Sequence, residues 1–202
     1  MQGENWTFFR EFMKAPRVVA SVIPSSSFLK RRVIQAANLA QAGVVVELGP
    51  GTGGLTRALL QALGPQAQLL AIERTAEFAR LVEQIDDSRL EVVNGCASSI
   101  GDELRCRGFK AADAIVSGIP FSTMPATLAA SIVAAVHTAL CPGGRFVAYQ
   151  VSDRVADHAL PVLGAPAIEH ELRNVPPVRV FTWRKSENAP VNGREIAARL
   201  AD

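Results

Sequence analysis

Residues 44–56 constrain this chain most: Val44-Val45-Val46-Glu47-Leu48 is a β-branched run that can be buried on both faces, and Gly49-Pro50-Gly51-Thr52-Gly53-Gly54-Leu55-Thr56 follows it directly. A strand of that kind belongs to a parallel sheet, whose crossover helices cover both faces. Glycines at alternate positions let the backbone turn sharply and approach a ligand where a Cβ would collide. Glu47 closes the strand with a carboxylate able to accept from a cationic group. The feature predicts an α/β sheet that holds a ligand at the carboxyl end of its first strand.

Gly49, Gly51 and Gly54 also satisfy GxGxxG, so a dinucleotide fold competes. An acid two residues before the first glycine would repel a pyrophosphate, and Pro50 removes an N–H that a phosphate site would use; both suit a ligand bearing an ammonium group. Tyr149 is followed four residues later by Asp153 rather than lysine, so the couple of short-chain dehydrogenases is absent. The expectation is S-adenosylmethionine, held by Glu47, Gly49, Gly51, Thr52 and Gly53, in a methyltransferase that releases S-adenosylhomocysteine. A dinucleotide enzyme and a glycine turn without ligand are the alternatives.

Beyond residue 43, β-branched runs alternate with helix-length segments. Strands are expected at Val44–Leu48, Gln68–Glu73, Leu90–Asn94, Ala112–Ser117 and Gly144–Val151, with helices near Leu55–Leu63, Ala76–Gln84, Ser98–Cys106 and Pro125–Leu140. Ala167–Asn174 and Val178–Arg184 are joined by Val175-Pro176-Pro177, too short for a crossover helix, so they form an antiparallel hairpin. The fold class is α/β, Rossmann-like: a seven-stranded, mainly parallel sheet with a terminal hairpin, the architecture of class I methyltransferases. Residues 1–43 read as amino-terminal amphipathic and lid helices packed on the core, 44–184 as the cofactor-binding core, and 185–202 as a polar tail.

The second strand ends in Glu73, about 20 residues past the glycines, where a ribose diol needs a bidentate acceptor. Arg74 beside it is assigned to the same site; the competing reading makes Glu73 a surface acid paired with Arg74 or Arg80. The third strand ends Asn94-Gly95-Cys96-Ala97, where methyltransferases commonly carry Gly-Asp-Ala and the aspartate accepts from the adenine amino group. Cys96 is a much weaker acceptor. Either Ser98, Ser99 or a carbonyl replaces the aspartate, or packing holds adenine. Cys96 and Ala97 are assigned to the cofactor pocket, with a core position for Cys96 the alternative.

Cys96, Cys106 and Cys141 show no CxxC spacing, and three histidines form no HxxxH or HExxH pattern, so free thiols and no metal are expected. No apolar run approaches the roughly 18 residues of a transmembrane helix, and the first ten residues lack signal-peptide order, which gives a cytoplasmic expectation. The net charge of +2 is too small to suggest nucleic acid. It is uneven, however, with six cations against two acids in residues 1–35, and an anionic lipid surface fits that basic end.

On a helix, Trp6, Phe8, Phe9, Phe12 and Met13 fall on one arc and Thr7, Arg10, Glu11 and Lys14 on the other. Trp6, Phe9, Arg10, Met13 and Lys14 are assigned to membrane contact; packing of the apolar face on the domain is the alternative, and a lid can do both. Ser25, Ser26 and Ser27 precede a helix at Phe28–Ala40, so one of them caps it.

The segments Phe8 to Pro24, Leu48 to Gly53, Ser117-Gly118-Ile119-Pro120-Phe121 and Asn174-Val175-Pro176-Pro177 together resemble the bacterial phospholipid N-methyltransferases, over most of the chain. That resemblance implies methylation of phosphatidylethanolamine toward phosphatidylcholine, by a protein peripheral to the inner leaflet of the cytoplasmic membrane; ornithine-lipid methyltransferases look similar. It also places Ser25 and Ser26 beside the methionyl part of the cofactor, and Gly118, Ile119 and Pro120 beside the acceptor. The ribosomal RNA adenine dimethyltransferases share the cofactor half but carry Asn-Leu-Pro-Tyr where this sequence has Ser117-Gly118-Ile119-Pro120, and they add a helical domain for which 202 residues leave no room. Ser117 is expected to aim the acceptor lone pair and Tyr149 to offer a ring face to the methylated cation; a strand-end turn and plain core are their ordinary alternatives. A monomer is expected.

Overall fold

The computed structural model describes residues 26–187. The expectations for Trp6, Phe9, Arg10, Met13, Lys14 and Ser25, and for the tail beyond residue 187, lie outside the described residues.

Seven strands form one sheet: β1 (Val44–Leu48), β2 (Gln68–Glu73), β3 (Leu90–Asn94), β4 (Ala112–Ser117), β5 (Leu140–Gln150), β6 (Ala167–Glu171) and β7 (Val178–Arg184), in the order β3-β2-β1-β4-β5-β7-β6. β1 to β5 are parallel, and β7 returns antiparallel between β5 and β6. The fold is the Rossmann-like α/β class anticipated from the alternation of strands and helices. β1 is central, its Val45 facing Leu69 of β2 and Ala114 of β4. Burial on both sides is why its sequence is a continuous apolar run rather than an alternating one.

Helices α1 (Ser27–Ala37) and α2 (Gly54–Ala62) cover one face, where Leu29, Val33, Leu55 and Leu59 pack on Val45, Leu69, Val116 and Val147. On the other face α4 (Ile100–Cys106), α5 (Ala126–Ala139) and α6 (Arg154–Leu163) pack Ile100, Ile132, Val136 and Val155 on Val46, Leu48, Ile115 and Phe146. Each such side chain contributes about 1.5–3 kcal/mol on burial. α3 (Ala76–Glu83) lies against β2 and β3. Trp183 anchors β7, its ring 5.2 Å from that of Phe146 and its Nε1 donating to Gly164 O at 2.9 Å.

Two features depart from the sequence reading. β5 begins at Leu140, before Gly144, and α6 occupies a stretch given no helix because Pro161 reads as a breaker. Pro161 sits near the end of α6, so the helix loses little by it, and Val155 and Ala159 are its buried stripe. Lys185, the first residue of the expected tail, is 8% exposed, and its Nζ donates to the carbonyls of His137 and Leu140.

Strand order reverses between β1 and β4, and open α/β sheets place ligands at the carboxyl ends of the strands flanking such a point. Gly49 and Gly118 follow those two strands.

Candidate active site

A cavity of about 410 Å³ opens at this point. Gly49, Gly51, Glu73, Arg74, Gly95, Cys96, Ala97, Gly118, Ile119 and Pro120 line it, and Ile72, Phe78, Met124, Leu128 and Ile132 supply an apolar wall. The volume falls within the range of small-molecule sites, as does an apolar wall with a few convergent polar groups.

The two turns that close the cavity are held together tightly. Gly49 has φ +72°, a conformation that penalises any side chain, and its N–H donates to Ile72 O at 2.9 Å. Gly118 donates to Leu48 O at 2.9 Å, and a Cβ added there would lie 2.4 Å from Tyr149 Oη. The glycine at position 118 is therefore dictated by the close approach of the tyrosine.

Glu73 braces the glycine turn as well as lining the cavity. Its Oε2 accepts from Gly51 N at 3.1 Å and its Oε1 from Thr75 N at 2.9 Å. It makes no ion pair with Arg74 or Arg80 among the described residues. Each oxygen keeps a second lone pair, so the carboxylate can still accept from a vicinal diol. Asn94 Nδ2 donates to the carbonyls of Glu73 and Arg74, fixing the backbone beneath it.

Glu47 lies behind the glycine turn, outside the cavity wall, and is 1% exposed. Burial pushes its carboxyl up to about 7; the neighbouring Thr56 hydroxyl lowers it and the Glu73 charge raises it. Yet neither Glu47 oxygen, nor Thr56 Oγ1, completes a hydrogen bond. A buried acid without a donor costs folding free energy and is rare, so this one marks a place where a cationic partner belongs.

Cys96 lines the cavity, with Ser98 Oγ donating to its Sγ at 3.1 Å. Burial works against the thiolate, but the Ser98 hydroxyl and N–H and the Arg74 charge outweigh it and lower the thiol. Ser98 and Ser99 turn back on Cys96 rather than standing in its place, Ser99 donating to the Cys96 carbonyl at 2.7 Å.

Ser117 is fully buried and its hydroxyl accepts from Ile119 N at 3.3 Å. Ser26 caps α1, accepting from Leu29 N at 3.2 Å, while its own N–H donates to Asn174 Oδ1 at 3.0 Å. Thr52 is exposed on the turn, and Gly53 is the buried N-cap of α2. Ser26, Thr52, Gly53, Ser117 and Tyr149 thus surround the cavity without forming its wall. Gln150, which carries no motif, is buried, donates from Nε2 to Ile119 O at 2.5 Å, and leaves its Oε1 without a partner. Among the described residues no group of three or more His, Cys, Asp or Glu side chains is placed to hold a metal ion.

The site suits S-adenosylmethionine by its chemistry: an orphaned buried carboxylate for an ammonium group, a bidentate acceptor for a ribose diol, and an apolar wall for an aromatic base. Gly51 completes the fit, since it lines the cavity at φ +56° and a side chain there would project into open space.

No protein-family model matches the sequence. An ornithine lipid N-methyltransferase of Singulisphaera acidiphila is 33% identical over 141 residues, which is 69% of this chain and 73% of that protein. A ribosomal RNA small subunit methyltransferase A of Caulobacter vibrioides is 37% identical over 95 residues, but the match takes in 46% of this chain and only 34% of that enzyme. Among solved structures, the 1,6-didemethyltoxoflavin-N1-methyltransferase of Burkholderia thailandensis superposes with a TM-score of 0.64 at 17% identity, over 89% of this chain and 86% of its own. The match to the Singulisphaera protein spans the glycine turn and most of both chains, and the chain belongs to the class I S-adenosylmethionine-dependent methyltransferases, as a relative of that ornithine lipid N-methyltransferase.

Proposed function

We propose that the acceptor is the primary amine of a membrane lipid head group, phosphatidylethanolamine being methylated toward phosphatidylcholine, by a cytoplasmic protein peripheral to the inner leaflet. The observation that carries this reading is the relative named as an ornithine lipid N-methyltransferase, which this chain matches over most of its length. That name also favours a second reading, in which the amine belongs to an ornithine lipid. No helix among the described residues is long and apolar enough to cross a membrane, so contact with the bilayer would be from its surface.

The cofactor supplies an electrophilic methyl group, and the protein's task is to hold and to aim. Glu47 would accept from the cofactor's ammonium, Glu73 from its ribose hydroxyls, and Cys96 and Ala97 would flank its base. Arg74, Thr52, Gly53, Ser25 and Ser26 are assigned to the periphery of the same site. A lipid ammonium must lose its proton before it attacks, and a dry pocket beside a positive charge lowers its pKa. Ser117 and the Gly118-Ile119-Pro120 turn would orient the resulting lone pair, and the Tyr149 ring would face the cationic product.

Incubation of the purified chain with methyl-labelled cofactor and either phosphatidylethanolamine or an ornithine lipid in mixed micelles tests this reading. Label in phosphatidylethanolamine products is expected. Label in ornithine lipid alone would select the second reading, and label in neither would reject both.

A further inference from the structure

We propose that the carboxyl rim of the sheet carries a bilayer-contacting face, built from the β6–β7 turn and the first turn of α1, which seats the mouth of the active site on anionic lipid. The proposal deepens the lipid-amine reading and rests on it.

The distribution of exposed apolar side chains is the starting point. Of the large hydrophobic side chains exposed among the described residues, Phe28, Val151, Leu172 and Val175 gather at one end of the molecule. Gln150 pairs with Arg179 and Glu171 with Val178, so the β6–β7 turn stands at the carboxyl end of β5, on the same rim as the glycine turn and Gly118. Leu172 is 72% exposed and Val175 84%, values that water does not favour for side chains of this size in a tight turn.

These prongs are held outward by a rigid frame. Asn174, between them, is completely buried; its Oδ1 accepts from Ser26 N at 3.0 Å and its Nδ2 donates to Pro176 O at 2.9 Å. Glu171 at the base of the turn accepts from Arg173 N and Nε, both at 3.0 Å, and from Arg32 Nε at 3.1 Å. Arg173 lies 4.0 Å from the Phe28 ring centroid and Arg31 5.5 Å from it, so apolar tips and guanidinium groups alternate on one surface.

The choice of occupant follows from that shape and charge. Two convex prongs would need matching hollows on a protein partner, whereas acyl chains deform around them and phosphates accept from the adjacent guanidinium groups. The chain preceding Ser26 enters at this rim, and it adds Arg10, Lys14 and Arg17 against Glu4 and Glu11.

Co-sedimentation of the full chain with phosphatidylcholine vesicles, with or without phosphatidylglycerol, tests the proposal. Leu172→Ser/Val175→Ser should cut the fraction bound to anionic vesicles about tenfold, the loss expected for removing two apolar contacts. Turnover on micellar lipid amine should stay within about twofold of wild type, because neither residue lines the cavity. Wild-type vesicle binding by the double variant would overturn the proposal while leaving the lipid-amine reading intact; the absence of methylated lipid from both proteins would instead sink that reading. Stronger binding of the chain to structured RNA than to anionic vesicles, lost in the same variant, would also overturn it. Should the double variant misfold, Val175→Trp in a Trp6→Phe background gives a second test. Its fluorescence should be quenched by vesicles with brominated acyl chains, and unchanged fluorescence would count against the proposal.

Discussion

The two ends of the sheet treat their polar groups in opposite ways. At the amino end nearly every buried polar group is spent on the fold. Asp113 Oδ2 accepts from Gly43 N and Val44 N, Arg145 donates to Ala36 O, Arg89 to the carbonyls of Leu60, Leu63 and Gly64, and Lys185 to those of His137 and Leu140. These bonds close helix carboxyl termini that would otherwise be unsatisfied. At the carboxyl end Glu47, Thr56, Gln150 and Ser152 keep buried oxygens without partners, against the single nitrogen of His137 at the other end. The contrast teaches that one end is a finished structure, while the other stores unmet hydrogen-bonding capacity for a ligand.

Substitutions at the carboxyl end should damage binding and catalysis, and substitutions at the amino end should damage stability alone. The largest effect is expected for Gly118→Ala, whose methyl group would strike Tyr149 Oη. A displacement of the turn by about 1 Å should lower kcat/KM about 100-fold, and Tyr149→Phe in the same chain should restore part of it; steady-state kinetics would show both.

Glu47→Gln comes next, and it separates binding from stability. The variant should bind S-adenosylhomocysteine about 30-fold more weakly, as measured by titration, for loss of a charge-assisted hydrogen bond. Its cofactor-free form should nevertheless be more stable than wild type at pH 8. The sign follows from the raised carboxyl: with a folded value of about 7 against an unfolded value of 4.5, the native state binds more protons than the unfolded state between those pH values. Wild-type stability therefore falls as pH rises through that window, by roughly 1–3 kcal/mol in all, and the variant should lose that slope in thermal unfolding between pH 5 and 8.

At the opposite end Lys185→Met should cost about 1–2 kcal/mol of unfolding free energy, because two helix-terminal carbonyls lose their donor, and should leave homocysteine-product affinity unchanged. Denaturant unfolding and titration on the same variant would check the pair of outcomes. The smallest effect is assigned to Cys96→Ser: the thiol is a weak acceptor already engaged by Ser98, so cofactor affinity should shift by less than about threefold.

The same division explains what could be read in the sequence. The valine run of β1, the glycine turn and Glu73 are legible because backbone conformation and local chemistry dictate residue type there. The helix at Arg154–Leu163 was not, since Pro161 masked the Val155 and Ala159 repeat. The cavity's apolar wall was also hidden: Leu128 and Ile132 belong to a helix whose other apolar residues are core, and periodicity does not tell a cavity wall from a packed face. Nor could spacing reveal Gln150 or Thr56, whose unpartnered oxygens arise only when β5 and α2 pack beside the switch point.

Proton release on ligand binding tests the central contrast most directly. S-adenosylhomocysteine titrated calorimetrically at pH 6.5, in buffers of different ionisation enthalpy, should release on the order of half a proton or more per site in wild type, as the ammonium ionises a Glu47 that is mostly protonated beforehand, and close to none in Glu47→Gln. Equal proton release by the two proteins would show that Glu47 is not held in reserve for the cofactor, and would contradict the distinction between the two ends of the sheet.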